Sequence, residues 1–106
     1  MNISELTEFA KETSGRLRVK YPNFNLETEM LYQMCKVTEE VGEMSDELLK
    51  HLGSQRQDKL DGFKKEHLAE EMADVILAVL IAAEVAGIEI EPALSQKMEK
   101  VRSRSF

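Results

Sequence analysis

A chain of 106 residues with 42% apolar and 32% charged side chains has the make-up of one folded domain over residues 1–106, neither a disordered tail nor a membrane span. Its net charge of −6 excludes general binding to a nucleic-acid polymer, but not a nucleotide whose phosphates are met through a cation. The single cysteine, Cys35, can form no internal disulfide, and the N-terminus is polar and acidic early on, so a cytoplasmic protein is expected.

Only two prolines and five glycines interrupt a sequence rich in Ala, Leu, Glu, Lys and Met, a mixture that favours helix throughout. The first helix is expected over about residues 4 to 20, with Leu6, Phe9 and Leu17 facing inward and Pro22 just beyond its end. Arg16, Arg18 and Lys20 crowd its last turn, where cations meet the negative end of the helix dipole.

The second helix is expected over about residues 26 to 52, closed by Gly53. Met30, Met34, Val37, Val41, Met44 and Leu48 recur at spacings of three and four, an amphipathic pattern. Cys35 lies among them and reads as packing. Residues 54 to 62 are polar and bordered by glycines, so they read as a loop.

Helix three is expected from Phe63 or Lys64 to Ala86, with Gly87 as terminator. Its stretch over residues 75 to 83 is apolar on all sides, which suits the middle of a bundle or a subunit boundary. That run is too short for a bilayer, which needs roughly 20 residues. Helix four is expected from about Pro92 to Arg104. The fold class is therefore all-α: an antiparallel bundle of about four helices, completed by a second copy.

Two acidic clusters stand out. Glu39, Glu40 and Glu43 lie on helix two; Glu70, Glu71 and Asp74 lie on helix three. Residues three apart share a helix side, so Glu40 with Glu43 and Glu71 with Asp74 form two carboxylate pairs. On a wheel of about 100° per residue, each pair runs along one flank of an apolar stripe centred roughly 70° away. Packing the stripes together brings the flanks near each other. Like charges about 5 Å apart repel by roughly 3 kcal/mol at an effective dielectric near 20, and a divalent cation is the simplest compensation.

Oxygen-only ligands suit Mg²⁺, or Mn²⁺, and Mg²⁺ commonly joins protein carboxylates to substrate phosphates. The plainer alternative is a solvated acidic face paired with lysines, Lys36 with Glu40 and Lys50 with Asp46 or Glu47. Tyr21, Phe24 and Tyr32 are candidates either for stacking on a nucleobase or for packing the junction of helices one and two. His51 and His67 read as surface residues. Neither G-x-x-x-x-G-K nor G-x-G-x-x-G occurs.

Glu-Glu-x-x-Glu at residues 39 to 43 followed by Glu-x-x-Asp at 71 to 74 resembles the motif of the MazG-type, all-α nucleoside triphosphate pyrophosphohydrolases. The hydrophobic continuation to Gly87-Ile88 and the basic last helix around Lys97, Lys100 and Arg102 fit the same family over roughly residues 26 to 106. The resemblance implies cleavage of a nucleoside triphosphate between its α and β phosphates, giving a monophosphate and pyrophosphate. It implies that Glu40, Glu43, Glu71 and Asp74 hold Mg²⁺ and that Glu39 is a further ligand or orients the attacking water. Lys97 and Arg102 would hold phosphate oxygens, with Lys36 a further substrate contact.

Val101 departs from the family's usual Asn, which points to a different base or sugar preference. Phosphoribosyl-ATP pyrophosphohydrolases share Glu-x-x-Asp, but they usually carry Tyr-His where this chain has Leu77-Ala78. Outside enzymes, a dimeric helical interaction module with an acidic flank is the competing expectation. A homodimer or homotetramer is expected on size and on the all-round apolar segment.

Overall fold

The computed structural model describes residues 1–52 and 64–104, and among these every regular element is helical. Four helices follow one another: α1 (Ile3–Lys20), α2 (Leu26–His51), α3 (Lys65–Val85) and α4 (Ile90–Arg102). Gly53, the polar stretch over 54–62 and the alternative helix start at Phe63 lie outside the described residues.

Local chemistry sets the boundaries. Asn2 and Asn25 cap α1 and α2: their side-chain oxygens accept from Glu5 N–H at 3.0 Å and from Thr28 N–H at 2.8 Å. α3 ends as expected at Gly87, whose φ of +71° suits glycine. There Ile88 N–H donates to Ala83 C=O at 2.9 Å and Gly87 N–H to Glu84 C=O at 3.1 Å, the paired bonds of a Schellman ending. Pro92 falls in the first turn of α4, though that helix starts two residues earlier, at Ile90.

The strongest packing is between α2 and α3, which run antiparallel, and α1 lies against α3. Gln33 reaches Ala78 at one end of the α2–α3 seam, while Glu47 and Glu71 interact near the other. The core is Ala10 of α1 with Leu80, Ile81 and Val85 of α3, flanked by Leu6, Leu17, Leu77 and Ile90.

The seam differs from the sequence expectation. The apolar stripe of α2 was expected to face α3 with the carboxylates on its flank. Instead Gln33, Glu40 and Glu47, each seven residues apart and so on one face, sit in or beside the seam. Gln33 is only 4% exposed, whereas Met34 is 57% exposed and Met30, Val41 and Leu48 are exposed as well. α3 shows the same rotation: Ala78 is buried while Met72, Ile76 and Val79 are exposed. On antiparallel partners these two exposed stripes fall on the same side, making one wide apolar face. Cys35, expected in the core, points outward.

Beyond Ile90, α4 contributes nothing to the core and has no buried residue. The radius of gyration is 16.8 Å, against about 13 Å for a compact chain of this length. A single copy is thus an open arrangement with large apolar surfaces left uncovered.

Candidate metal centre

The α2–α3 seam brings the two acidic clusters together. Glu40, Glu43 and Glu71 each offer a carboxylate oxygen, and these oxygens all lie within 4.8 Å of one another. Asp74 stands just outside that group, close enough to raise the proton affinity of both Glu40 and Glu71. Three of the four carboxylates expected from sequence therefore converge, and the fourth borders them.

Burial sharpens the arrangement. Oε2 of Glu40, of Glu71 and of Glu47 is sealed from solvent and has no hydrogen-bond partner. An ionised oxygen in that state is costly unless a positive charge meets it. Desolvation holds the Glu40 carboxyl above the ordinary glutamate value, and the charges of Glu43 and Asp74 push it further. Glu71 is raised by the same causes in the same order, with Glu47 adding a smaller push. Each shift records a carboxylate short of positive charge.

The nearby lysines do not supply it fully. Lys36 Nζ donates to Glu39 at 3.1 Å and Lys50 Nζ to Glu47 at 3.0 Å. Lys36 thus pairs with Glu39, not Glu40, which leaves the central carboxylates to one another. Both lysines bracket the acidic row at opposite ends along α2. The residues present fit a hard divalent cation: all donors are oxygens, two sealed ones lack partners, and several carboxylates share one spot.

The remaining expected site residues are dispersed. Glu39 is exposed and engaged with Lys36, next to the cluster but not among its converging oxygens. Lys97 and Arg102 lie on the undocked α4, where Arg102 pairs with Glu99 at 3.3 Å; one chain does not carry them to the carboxylates through helix packing. Tyr21 and Phe24 stack at 4.8 Å, and Tyr32 tilts against both, so the three aromatics pack the α1–α2 junction. Arg18 helps close that junction through Glu29 at 3.5 Å.

Two contributors lie outside the expected ligand set. Gln33 donates Nε2–H to the Ala78 carbonyl at 3.1 Å, and Glu47 extends the acidic row. The signal was present: each lies seven residues from Glu40, two turns along one face. A cleft of about 280 Å³ opens beside Glu40 and Asp74, between α1, α2 and α3. A larger hollow of about 410 Å³ lies at the α3–α4 turn, around Thr7, Lys11 and Glu84. It is roughly 15 Å along α3 from the carboxylates and shares no residue with them.

No curated protein and no solved structure matches the chain. Residues 27–105, however, match the family model described as the MazG nucleotide pyrophosphohydrolase domain, a span that includes all four expected ligands and both lysines. With acidic motifs on α2 and α3 converging inside that span, the chain belongs to the MazG nucleotide pyrophosphohydrolase family.

Proposed function

We propose that this protein hydrolyses a nucleoside triphosphate between the α and β phosphates, with Mg²⁺, or Mn²⁺ in its place, held by Glu40, Glu43, Glu71 and Asp74. The observation that carries the reading is the meeting of three carboxylates in one seam, with sealed, unpartnered oxygens on Glu40 and Glu71. Family membership supplies the reaction class, nucleotide pyrophosphohydrolysis.

These carboxylates would hold a divalent cation, which would supply neutralisation of the triphosphate and polarisation of the bond to be broken. The chain's own groups do the rest. Glu39, exposed beside the cluster, orients a water and accepts its proton as the water oxygen bonds to the α phosphorus. The bridging bond to the β phosphate breaks, and pyrophosphate leaves with the electron pair. Lys36, held at the edge of the cluster, offsets charge on the substrate.

Lys97 and Arg102 grip phosphate oxygens from the α4 of a second copy. The open radius of gyration and the wide apolar face of Met30, Met34, Val41, Met72, Ile76 and Val79 support a homodimer or homotetramer. The apolar side of α4, Leu94, Met98 and Val101, is equally exposed and would be covered by the same association. The enzyme is proposed to act on a free nucleotide in the cytoplasm; among the described residues no helix is long and apolar enough to cross a membrane.

The test is pyrophosphate release from a panel of ribo- and deoxyribonucleoside triphosphates with Mg²⁺. Release from at least one, lost on chelation, is the expected result. No release from any of them, with no Mg²⁺-dependent rise in thermal stability, would favour the non-enzymatic helical module instead.

A further inference from the structure

The cleft beside the carboxylates has the build of a ligand pocket independent of any metal. Its floor is apolar, from Leu17, Leu77 and Ile81, and Tyr32 and Phe9 add aromatic surface. Phe9, expected to face inward, is 41% exposed and lines this opening. A volume of about 280 Å³ falls just under the common range for small-molecule sites, about 300–1,000 Å³. It suits the uncharged half of a nucleotide, not a whole triphosphate.

A buried amide is set into this largely apolar wall. Gln33 is the most buried residue of α2, and it lines the cleft. Its Nε2–H bond to the Ala78 carbonyl fixes the amide, because turning it over would set two oxygens against each other. The amide therefore offers its Oε1 and its second N–H in a set order. An acceptor and a donor side by side match the hydrogen-bonding edge of a nucleobase, the pattern by which amide side chains read bases elsewhere.

Resting on the proposed hydrolase reading, we propose that this cleft is the nucleoside subsite and that Gln33 is the residue that determines base preference. The base lies against Tyr32, whose ring is braced by Tyr21 and Phe24 and so is held rigid for stacking. Lys36, Glu40 and Asp74 form the rim where the cleft meets the carboxylates. The ribose crosses that rim, and the phosphates run on toward Glu43, Glu71 and Glu47. The substrate thus has one direction along α2, base toward Tyr32 and leaving pyrophosphate toward Lys50. Stacking supplies affinity without choosing a base, and Gln33 supplies the choice, because a mismatched edge leaves its buried amide unpaired.

The experiment titrates the full chain with the four ribonucleoside 5′-monophosphates, followed through amide resonances, and measures kcat/KM across the triphosphate panel. Monophosphates should shift the Gln33 side-chain amide and the signals of Thr13, Tyr32 and Leu77. Gln33→Met should change the ratio of kcat/KM between best and worst bases by about tenfold while leaving Mg²⁺-dependent stabilisation in place. Thr13→Trp, which fills the cleft from α1, should abolish monophosphate shifts and keep that stabilisation. It decides the subsite if Gln33→Met does not fold, and equal shifts of the Gln33 side-chain amide with all four monophosphates would then overturn its role.

Shifts confined to other surfaces, or Thr13→Trp with full monophosphate binding, would overturn the subsite. Unchanged base ratios in a folded Gln33→Met would overturn its role. Cleft shifts in a protein that cleaves no triphosphate would leave the subsite standing and remove the hydrolase reading, so the two fail separately.

Discussion

The α2–α3 pair and α4 carry opposite designs. α2 and α3 bury polar groups in their shared seam: Gln33 is sealed, and Glu40, Glu47 and Glu71 each hide one oxygen. α4 buries nothing, yet its Leu94, Met98 and Val101 make an apolar stripe beside three cations, Lys97, Lys100 and Arg102. One region holds sealed carboxylate oxygens lacking a hydrogen-bond partner; the other holds exposed apolar surface among cations. Hydrophobic burial alone would never produce the first arrangement, since packing the methionine stripe of α2 inward would release more free energy than burying carboxylates. Both regions make sense when a cation completes the seam and a second copy completes the apolar faces.

The largest effect should come from breaking the seam's charge. Glu40→Gln and Asp74→Asn should each lower kcat by about 10³-fold or more, the several kcal/mol of transition-state stabilisation that a bound cation supplies. Metal-free Glu40→Gln should nevertheless unfold at a higher temperature, gaining roughly 0.5–1 kcal/mol from relieved repulsion. Full activity in both variants would contradict the metal assignment.

The other side of the contrast is tested on the apolar face. Ile76, 58% exposed, is far from the carboxylate oxygens on the wheel of α3. Ile76→Asp should convert the proposed oligomer to monomer by light scattering at micromolar concentration. On the proposed reading, in which Lys97 and Arg102 come from a second copy, KM should rise about tenfold or more. A monomer of undiminished activity would show that α4 serves no neighbouring site.

A smaller effect follows from the raised proton affinities. Glu40 and Glu71 bind protons more tightly folded than unfolded, so between the ordinary glutamate pKa near 4.3 and their higher folded values the native state holds more protons. Their contribution therefore destabilises the metal-free protein as pH rises through that window and is relieved as pH falls. Cation binding must displace those protons. The gain in melting temperature on adding Mg²⁺ should shrink as pH falls through that window toward the ordinary glutamate pKa. A gain that stays constant down to that pKa would mean the cation binds elsewhere.

The smallest effect concerns α1. Gly15 is helical, and a methyl group added there would meet nothing within 4 Å. Gly15→Ala should stabilise by about 0.5–1 kcal/mol in thermal unfolding without altering turnover.

Much of this was legible in the chain. The four helices, the Gly87 ending and the convergence of Glu40, Glu43 and Glu71 all followed from spacing and wheel geometry. What escaped was the rotation of α2 and α3 about their own axes. The wheel identifies an apolar stripe but not which neighbour meets it. Here Met30, Met34, Met72 and Ile76 face away from the seam, so the rule that apolar sides pack together misplaced the carboxylates on a flank. Gln33 is hidden for the same reason, because a lone glutamine among methionines reads as solvent-facing. Cys35 reads as core from its apolar neighbours in sequence, which lie on a different side of the helix. The roles proposed for Lys97 and Arg102 require a second chain, and no single helix pattern specifies the position of one.

Anomalous diffraction from crystals grown with Mn²⁺ addresses the central idea most directly. A manganese peak is expected between α2 and α3, with oxygens of Glu40, Glu43 and Glu71 about 2.0–2.2 Å away. A peak elsewhere on the molecule, or none at saturating Mn²⁺, would contradict it.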